Sequence, residues 1–495
     1  MKKVLITLLL LIGCMPVLQA QESYWKETQE ILPEGRFPGV GLGSIFGSAI
    51  AIDGDYALIG DPGYDAPTEE NPDIRDVDAG GVFVYERDNN GIWHQVQVLT
   101  PSTYGVNFGS SVAIDGNYAI VGARGDGLKK KGSAVIFERS ENGEWKPVHY
   151  IAPDNYNNRL ATSVEISGDY AFVGDPDYSA YAKDWGEIRI YHRNAQGEWE
   201  PRQRIPYTPI ITNGIVDDKV GFGYSMSASG EYLLVGAEDF EIAFMLKRQS
   251  NGDYQIPQWL YPTVSAEGFG CSVAIDGSYA LIGKESIDGE VYVLELQSDG
   301  TWIGSSIIPS PVEYIRFGLS VALSGDKALI SGTSWSQELP LGTAYIYRRD
   351  INGAWVLEQR VTPTDSIEGS YVGFYSLRST VAISDNTALV GAVTFDTGSV
   401  YNYAFWSTTS VVEQNLDTPV SWYPNPFQKR LNVELGQQYP EIHLTVRNVV
   451  GQVLYTKTST ATDHLQVDVE GPAGIYFVEI RAADNRRAVL KVVKD

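Results

Sequence analysis

The sequence predicts an all-β chain: a seven-bladed β-propeller closed by an N-terminal strand, followed by a small Ig-like β-sandwich. Three observations carry that expectation. A fifteen-residue pattern, FGSAIAIDGDYALIG at residues 46–60, recurs seven times. Each copy runs on into further strand-like segments. The one strand that the seventh copy lacks stands at the opposite end of the chain.

The chain begins with MKKVLITLLLLIGCMPVLQAQ. Lys2 and Lys3 precede an apolar run from Val4 to Gly13, and Leu18-Gln19-Ala20 ends in a small residue, the pattern of a cleaved export signal over 1–20 with Ala20 and Gln21 flanking the cut. Leu11-Ile12-Gly13-Cys14 offers a rival, a lipoprotein box in which Cys14 is lipidated. No later segment has the roughly 18 uninterrupted apolar residues of a membrane helix. After cleavage only Cys271 remains, so no intrachain disulfide can form and the core has to stabilise the fold. Cys271 stands where other copies have Ser48 and Ser110, the place of a small buried residue rather than a reactive thiol.

The copies start at residues 46, 108, 160, 222, 269, 317 and 377, a period of 47 to 62 residues that points to a propeller or solenoid. Within each, runs such as SVAI and YALIG are β-branched and aromatic. Asp-Gly or Ser-Gly lies between them (Asp-Asn in the last copy), which predicts a hairpin of strands A and B. A third run follows as strand C: GGVFVYER, GSAVIFER, GEIRIYHR, EIAFMLKR, GEVYVLEL, GTAYIYRR and GSVYNYAF. After a polar turn comes strand D, opening on an aromatic, as in NGIWHQVQVLTP and NGAWVLEQRVTP. Strands A to C occur seven times but D only six, and SYWKETQEILPEG at residues 23–35 has the missing form. The first strand therefore completes the last blade and closes the ring, which leaves only short protected edges.

The FG…SVAIDGDYALVG-like text resembles the FG-GAP repeat family, including the integrin α-subunit propeller, over residues 23–407. The resemblance implies the fold and leaves function open, since one superfold carries many activities. Integrin-like members carry a D-x-D-x-D-G calcium motif in some A–B loops. That motif is absent here, where the turns read only DGD, DGN, SGD, SGE, DGS, SGD and SDN, too short to wrap a cation that needs six or more oxygens. Calcium remains a candidate only at DIRDVD, where Asp73, Asp76 and Asp78 fall within six residues without a full ligand set.

Of the 495 residues, 62 are acidic and 37 are Lys or Arg, a formal net charge of −25. That disfavours nucleic acid and anionic membrane surfaces as partners. The five histidines show no metal-ligand spacing, and no nucleophile–base pair or phosphate loop is visible. SDGTW at Ser298 resembles a sialidase Asp-box but reads ENGEW and INGAW in other copies, so it is a repeated hairpin turn. No catalytic residue is assigned. The A–B and C–D turns are alike throughout, whereas the B–C and D–A connections on the opposite face differ widely, and variable loops on a rigid scaffold are where binding lives. Tyr64, Tyr178, Tyr181 and Trp185 in those loops are expected to be exposed binding residues.

After a polar linker at 408–420, residues 421–495 alternate apolar and polar, for example Leu431/Val433/Leu435 and Tyr476/Val478/Ile480, as a small sandwich with its own core. This segment resembles the C-terminal sorting domain of type IX secretion. The text that carries the likeness is YPNPF (Tyr423, Pro424, Asn425, Pro426, Phe427), VGQVLY, GIYFVEI and the terminal KVVK. The resemblance implies recognition by the type IX machinery, with the protein released or held on the outer cell surface. That route argues against lipidation of Cys14.

These readings lead to a propeller, residues 21–407, that binds a protein or glycan through one loop-rich face. A polysaccharide hydrolase or lyase with carboxylates in the channel is the alternative, and a purely structural surface protein a third reading.

Overall fold

The computed structural model describes residues 23–494 apart from 35–44, 68–74, 77–78, 89–90, 102–106, 125–131, 153–158, 179–183, 209–218, 263–267, 287–288, 313–314, 335–341, 351, 363–370, 373–379, 394–397, 408–410, 415, 417–419, 424–426, 428, 449–450, 473 and 485. The chain divides into two compact units, residues 25–405 and a second made mainly of residues 406–495.

The first unit is a β-propeller. Among the described residues it holds seven antiparallel sheets, each built on four strands in the order A-B-C-D from the inside out. The first repeat shows the pattern, with strands Ala49–Asp53, Tyr56–Asp61, Gly81–Arg87 and Trp93–Leu99. The innermost strands touch in a cycle that returns from Val381–Ser384 to Ala49–Asp53. The N-terminal strand Ser23–Ile31 pairs with Gly398–Ser407, strand C of the seventh repeat, and so supplies its missing outer strand. Apolar side chains fill the seams between neighbouring sheets. Leu58, Val82, Phe108 and Val121, for example, pack between repeats one and two.

The repeated motif is a seam device. The A–B loop is Gly54-Asp55, not the Asp53-Gly54 that the sequence pattern suggests. Asp53 already pairs with Tyr56, and Gly54 has φ +56° at the first loop position, as a II′ turn requires. Asp385 takes that role in the seventh copy, at φ +50°. The aspartate before the loop serves the next blade. Asp53 Oδ2 accepts the Gly116 N–H at 2.7 Å, Asp115 that of Gly168 at 2.6 Å and Asp276 that of Gly325 at 2.7 Å. Ser229 Oγ does the same for Gly277 and Ser324 Oγ for Asp385. At the other end of the inner strands, Ser111, Ser163, Ser225 and Ser272 donate to a backbone carbonyl of the next repeat at 2.7–2.9 Å. The glycine that ends the motif permits this approach: a Cβ on Gly60 would lie 2.0 Å from the carbonyl oxygen of Gly109, the FG glycine of the next repeat.

A third ring runs around the perimeter. Gln97 brackets the backbone of Trp145 in the next outer strand, its Oε1 accepting the Trp145 N–H at 2.8 Å and its Nε2 donating to the Trp145 carbonyl at 2.9 Å. Gln203 brackets Tyr254 and Gln258 brackets Trp302 in the same way. The closing strand carries both halves of the device: Gln359 grips Trp25, and Gln29 grips Trp93. Trp25, Trp93, Trp145 and Trp302 are buried.

The second unit is a sandwich around Leu431, Val433, Leu444, Val446, Val478, Ile480 and Leu490. Its long strands Arg430–Asn448 and Val453–Asp468 pair along nearly their whole length. The stretch expected to be a linker contributes a strand, Val411–Gln414, which pairs with Arg487–Lys494, and Leu416 and Val420 enter the sandwich core.

Candidate functional site

The face bearing the A–B and C–D turns spends its charged groups on the seams. Arg139 lies with its guanidinium 3.9 Å from the Tyr56 ring of the preceding repeat, Arg193 lies 4.2 Å from Tyr118 and Arg349 lies 4.1 Å from Tyr279. The Tyr56 hydroxyl donates to Glu86 at 2.7 Å, and burial first, then Glu86, holds its acidity weaker than an ordinary phenol's. An open surface cleft on this side is lined by Tyr56, Glu86, Glu138, Arg139 and Lys146, which are mostly these same staples. Asp299 of SDGTW accepts the backbone N–H of Thr301 at 2.9 Å and its hydroxyl at 2.6 Å, which holds the carboxyl below its usual range. That is a hairpin turn at work.

The opposite end of the third repeat is built differently. Arg189 on strand C occupies the position filled by Phe83, Val135, Phe244, Tyr292, Tyr345 and Tyr401 in the other six repeats, as the common register with strand B shows. Its Nε donates to Glu187 Oε1 at 2.8 Å, and its Nη2 lies 3.9 Å from Asp175. All three are buried. Arg204 on strand D reaches the same Glu187 at 2.5 Å from a half-exposed position, with its guanidinium 5.3 Å from the Tyr178 ring. Arg159 and Asp177 pair beside them at 3.0 Å. Burying such a network costs desolvation that the aromatic residues and Val135 of the other repeats avoid. The sequence signal for it was a single arginine at an otherwise apolar repeat position.

The residues expected to form a binding rim are placed as follows. Tyr64 is half-buried, edge-on to Phe83 at 5.3 Å. Trp185 is half-buried against Tyr207 at 6.5 Å. Tyr178 is half-buried under Arg204. The structure thus brings Tyr178 to the ion network and packs Tyr64 and Trp185 against core aromatics, less open than expected. Tyr181, Asp73, Asp78, Ala20, Gln21 and Cys14 lie outside the described residues. The backbone of Asp76 pairs with Ala66, and nothing is described of its side chain. Among the described residues no group of three or more acidic, His or Cys side chains is disposed to hold a metal ion.

Two further polar groups stand on the inner strands. Cys271 is buried, its thiol donating toward the Gly318 carbonyl at 3.4 Å, and burial pushes its pKa up. Glu165 replaces the alanine of five other repeats. Its Oε1 accepts the Ile166 N–H at 3.1 Å, and burial, with Asp115 nearby, pushes its pKa up to about 8. In the second unit Phe427 of YPNPF is buried in the core and Tyr423 closes the short strand Ser421–Tyr423, while Pro424, Asn425 and Pro426 lie outside the described residues.

Comparison with known families agrees with these segments. Residues 421–495 match the secretion system C-terminal sorting domain, residues 93–137 the FG-GAP repeat and residues 158–179 the LVIVD repeat. The chain carries FG-GAP repeats and a type IX sorting tail. The sorting tail directs export to the cell surface or the medium, and no described helix is long and apolar enough to cross a membrane. No curated protein matches the chain. Similar solved structures include a periplasmic gluconolactonase from Pseudomonas aeruginosa, 16% identical, covering 79% of this chain and 95% of that one at a TM-score of 0.42. Another is a protein from Lactobacillus plantarum, 14% identical, covering 64% and 85% at a TM-score of 0.44. Likeness at that level carries no activity over to this chain.

Proposed function

We propose that the propeller is an exported binding module that recognises a protein or glycan through the B–C and D–A loop face, centred on the third repeat. One observation supports this most. Only the third repeat exchanges an apolar position for the Asp175–Arg189–Glu187–Arg204 network, and that network holds a half-exposed guanidinium beside an aromatic ring at the loop end of the sheet. Glu187 takes up the Nε and one Nη of Arg204, so what the pair offers is a rigidly held cation beside an aromatic ring, which suits carboxylate-bearing or hydroxyl-rich ligands. The test is binding of the secreted protein to a glycan array and to host or neighbour-cell proteins. Arg204→Ala and Tyr178→Ala are expected to lower retention at least tenfold, while Lys146→Ala on the opposite face leaves it unchanged. Equal retention by all three variants would refute the assignment.

One observation favours the hydrolase reading: Glu165, protonated near neutrality, neighbours Asp115. Asp115 is engaged by the Gly168 N–H, however, which ties it to the seam. Under this reading Glu165→Gln abolishes polysaccharide turnover, and under the binding reading it changes nothing but stability.

A further inference from the structure

The outer face of the sorting tail's sheet carries a cluster of cations organised around one carboxylate. Residues directly opposite one another in antiparallel strands point to the same side of a sheet. The register sets His443 beside Arg481 and Arg481 beside Arg487; one row on, Thr445 lies beside Glu479 and Glu479 beside Val489; the next row is Arg447, Phe477 and Lys491. The alternate residues Leu444, Val446, Val478, Ile480 and Leu490 are buried in the core, so these rows face outward.

Three guanidiniums converge on Glu479. Arg481 donates to its Oε1 at 2.5 Å, and Arg447 and Arg487 stand 3.9 Å from its two oxygens. Glu479 itself is mostly covered, whereas each arginine side chain is about two-fifths exposed (40, 44 and 42% for Arg447, Arg481 and Arg487). Glu479 restrains the three guanidiniums while each stays partly open to solvent. Phe477, half-buried in the same face, adds an apolar centre. The placement stands out against the chain's charge: residues 421–495 hold nine Lys and Arg against eight Asp and Glu, whereas the other 420 residues hold 28 against 54.

We propose that this face, Arg447, Arg481 and Arg487 around Glu479 with Phe477 beside them, is the surface by which the tail docks on an acidic protein surface of the export machinery. This rests on the tail being a sorting domain. Arginine and aromatic residues together are the composition of protein-contact hot spots, and complementary charge sets both orientation and encounter rate.

The test is export of the full chain from a bacterium with a type IX system, read as the ratio of secreted to periplasmic protein. Reversal of the cluster (Arg447→Glu, Arg481→Glu, Arg487→Glu) is expected to cut that ratio at least tenfold. Replacement of the same three arginines by lysine is expected to keep at least half of it. Normal export of the reversed chain, while deletion of 421–495 traps it, overturns the docking face and leaves the sorting tail intact. Normal export of the deleted chain overturns the sorting role itself. If thermal melts show that the reversed tail no longer folds, Arg447→Gln with Arg487→Gln, which keeps the Arg481–Glu479 pair, carries the same expectation at about threefold, and unchanged export of that variant counts against the proposal. Arginine-dependent binding of the purified chain to phosphatidylglycerol vesicles but not phosphatidylcholine vesicles, with export unaffected, would assign the face to lipid instead.

Discussion

At the residue scale, Glu165 shows how one side chain can weaken a fold without breaking it. Its carboxyl titrates near 8 in the folded state against an ordinary value near 4.5. The folded state therefore holds the proton more tightly than the unfolded chain. Any stability it contributes is fully present below about pH 4.5 and is lost as the pH rises toward 8, where the unfolded chain is ionised and the folded one resists ionisation. Glu165→Ala, the residue of five other repeats, is expected to raise the melting temperature, and more at pH 8 than at pH 5. A gain that is equal at both pH values would contradict the assignment. Arg189 behaves oppositely. Removing it as Arg189→Ala leaves Glu187 and Asp175 buried with a lost partner and is expected to destabilise by about 3–5 kcal/mol, measured by chemical denaturation.

At the element scale the seams decide stability. An aromatic followed four residues later by glutamine, as in Trp93/Gln97, Tyr254/Gln258, Trp355/Gln359 and Trp25/Gln29, marks the perimeter clamp. Two outer strands break it. The second repeat has His149, half-buried against Tyr191 at 5.5 Å with its pKa lowered by burial, and the fifth has Ser306. His149→Gln is expected to install a missing clamp on Trp199 and to stabilise by about 1 kcal/mol, with a melting temperature higher by about 1–3 °C. Gln359→Ala is expected to cost about 1–3 kcal/mol and to expose the N-terminal strand to protease before any other strand. The strands themselves were legible from the text, because β-branched runs around glycine leave few alternatives. The closing strand was legible too, by count and by its Trp and Pro. What pattern alone did not reveal was the partner of each repeated polar residue. Asp53 suits a turn equally well whether its carboxylate caps its own loop or reaches Gly116 in the next blade, and only the curvature of the ring selects the second.

At the scale of the whole molecule, the boundary of the sorting tail has practical weight. Val411–Gln414 pairs with the C-terminal strand, and Leu416 and Val420 fill the core, although the family match begins at residue 421. A passenger fused to residues 411–495 is expected to carry a cooperatively melting tail. One fused to 421–495 is expected to melt at least 5 °C lower, since an edge strand and two core side chains are lost. Equal melting would show the added strand to be dispensable. The rim reading of the loops fared less well from sequence. Aromatic residues in variable text look exposed, yet Tyr64 and Trp185 found apolar neighbours contributed by Phe83 and Tyr207, which no local pattern foretells.

The closing seam also has a mechanical side. The last strand of the propeller, Gly398–Ser407, leads directly toward the tail, and it is hydrogen-bonded on one edge to the first strand and on the other to Thr387–Val393. A pull on the tail would reach the propeller first through this strand. Two flanking strands hold it there by backbone hydrogen bonds. With Glu30, Thr28 and Glu27 cross-linked by side chain to Ser399, Asn402 and Tyr403, the point where the ring is joined is also its reinforced grip.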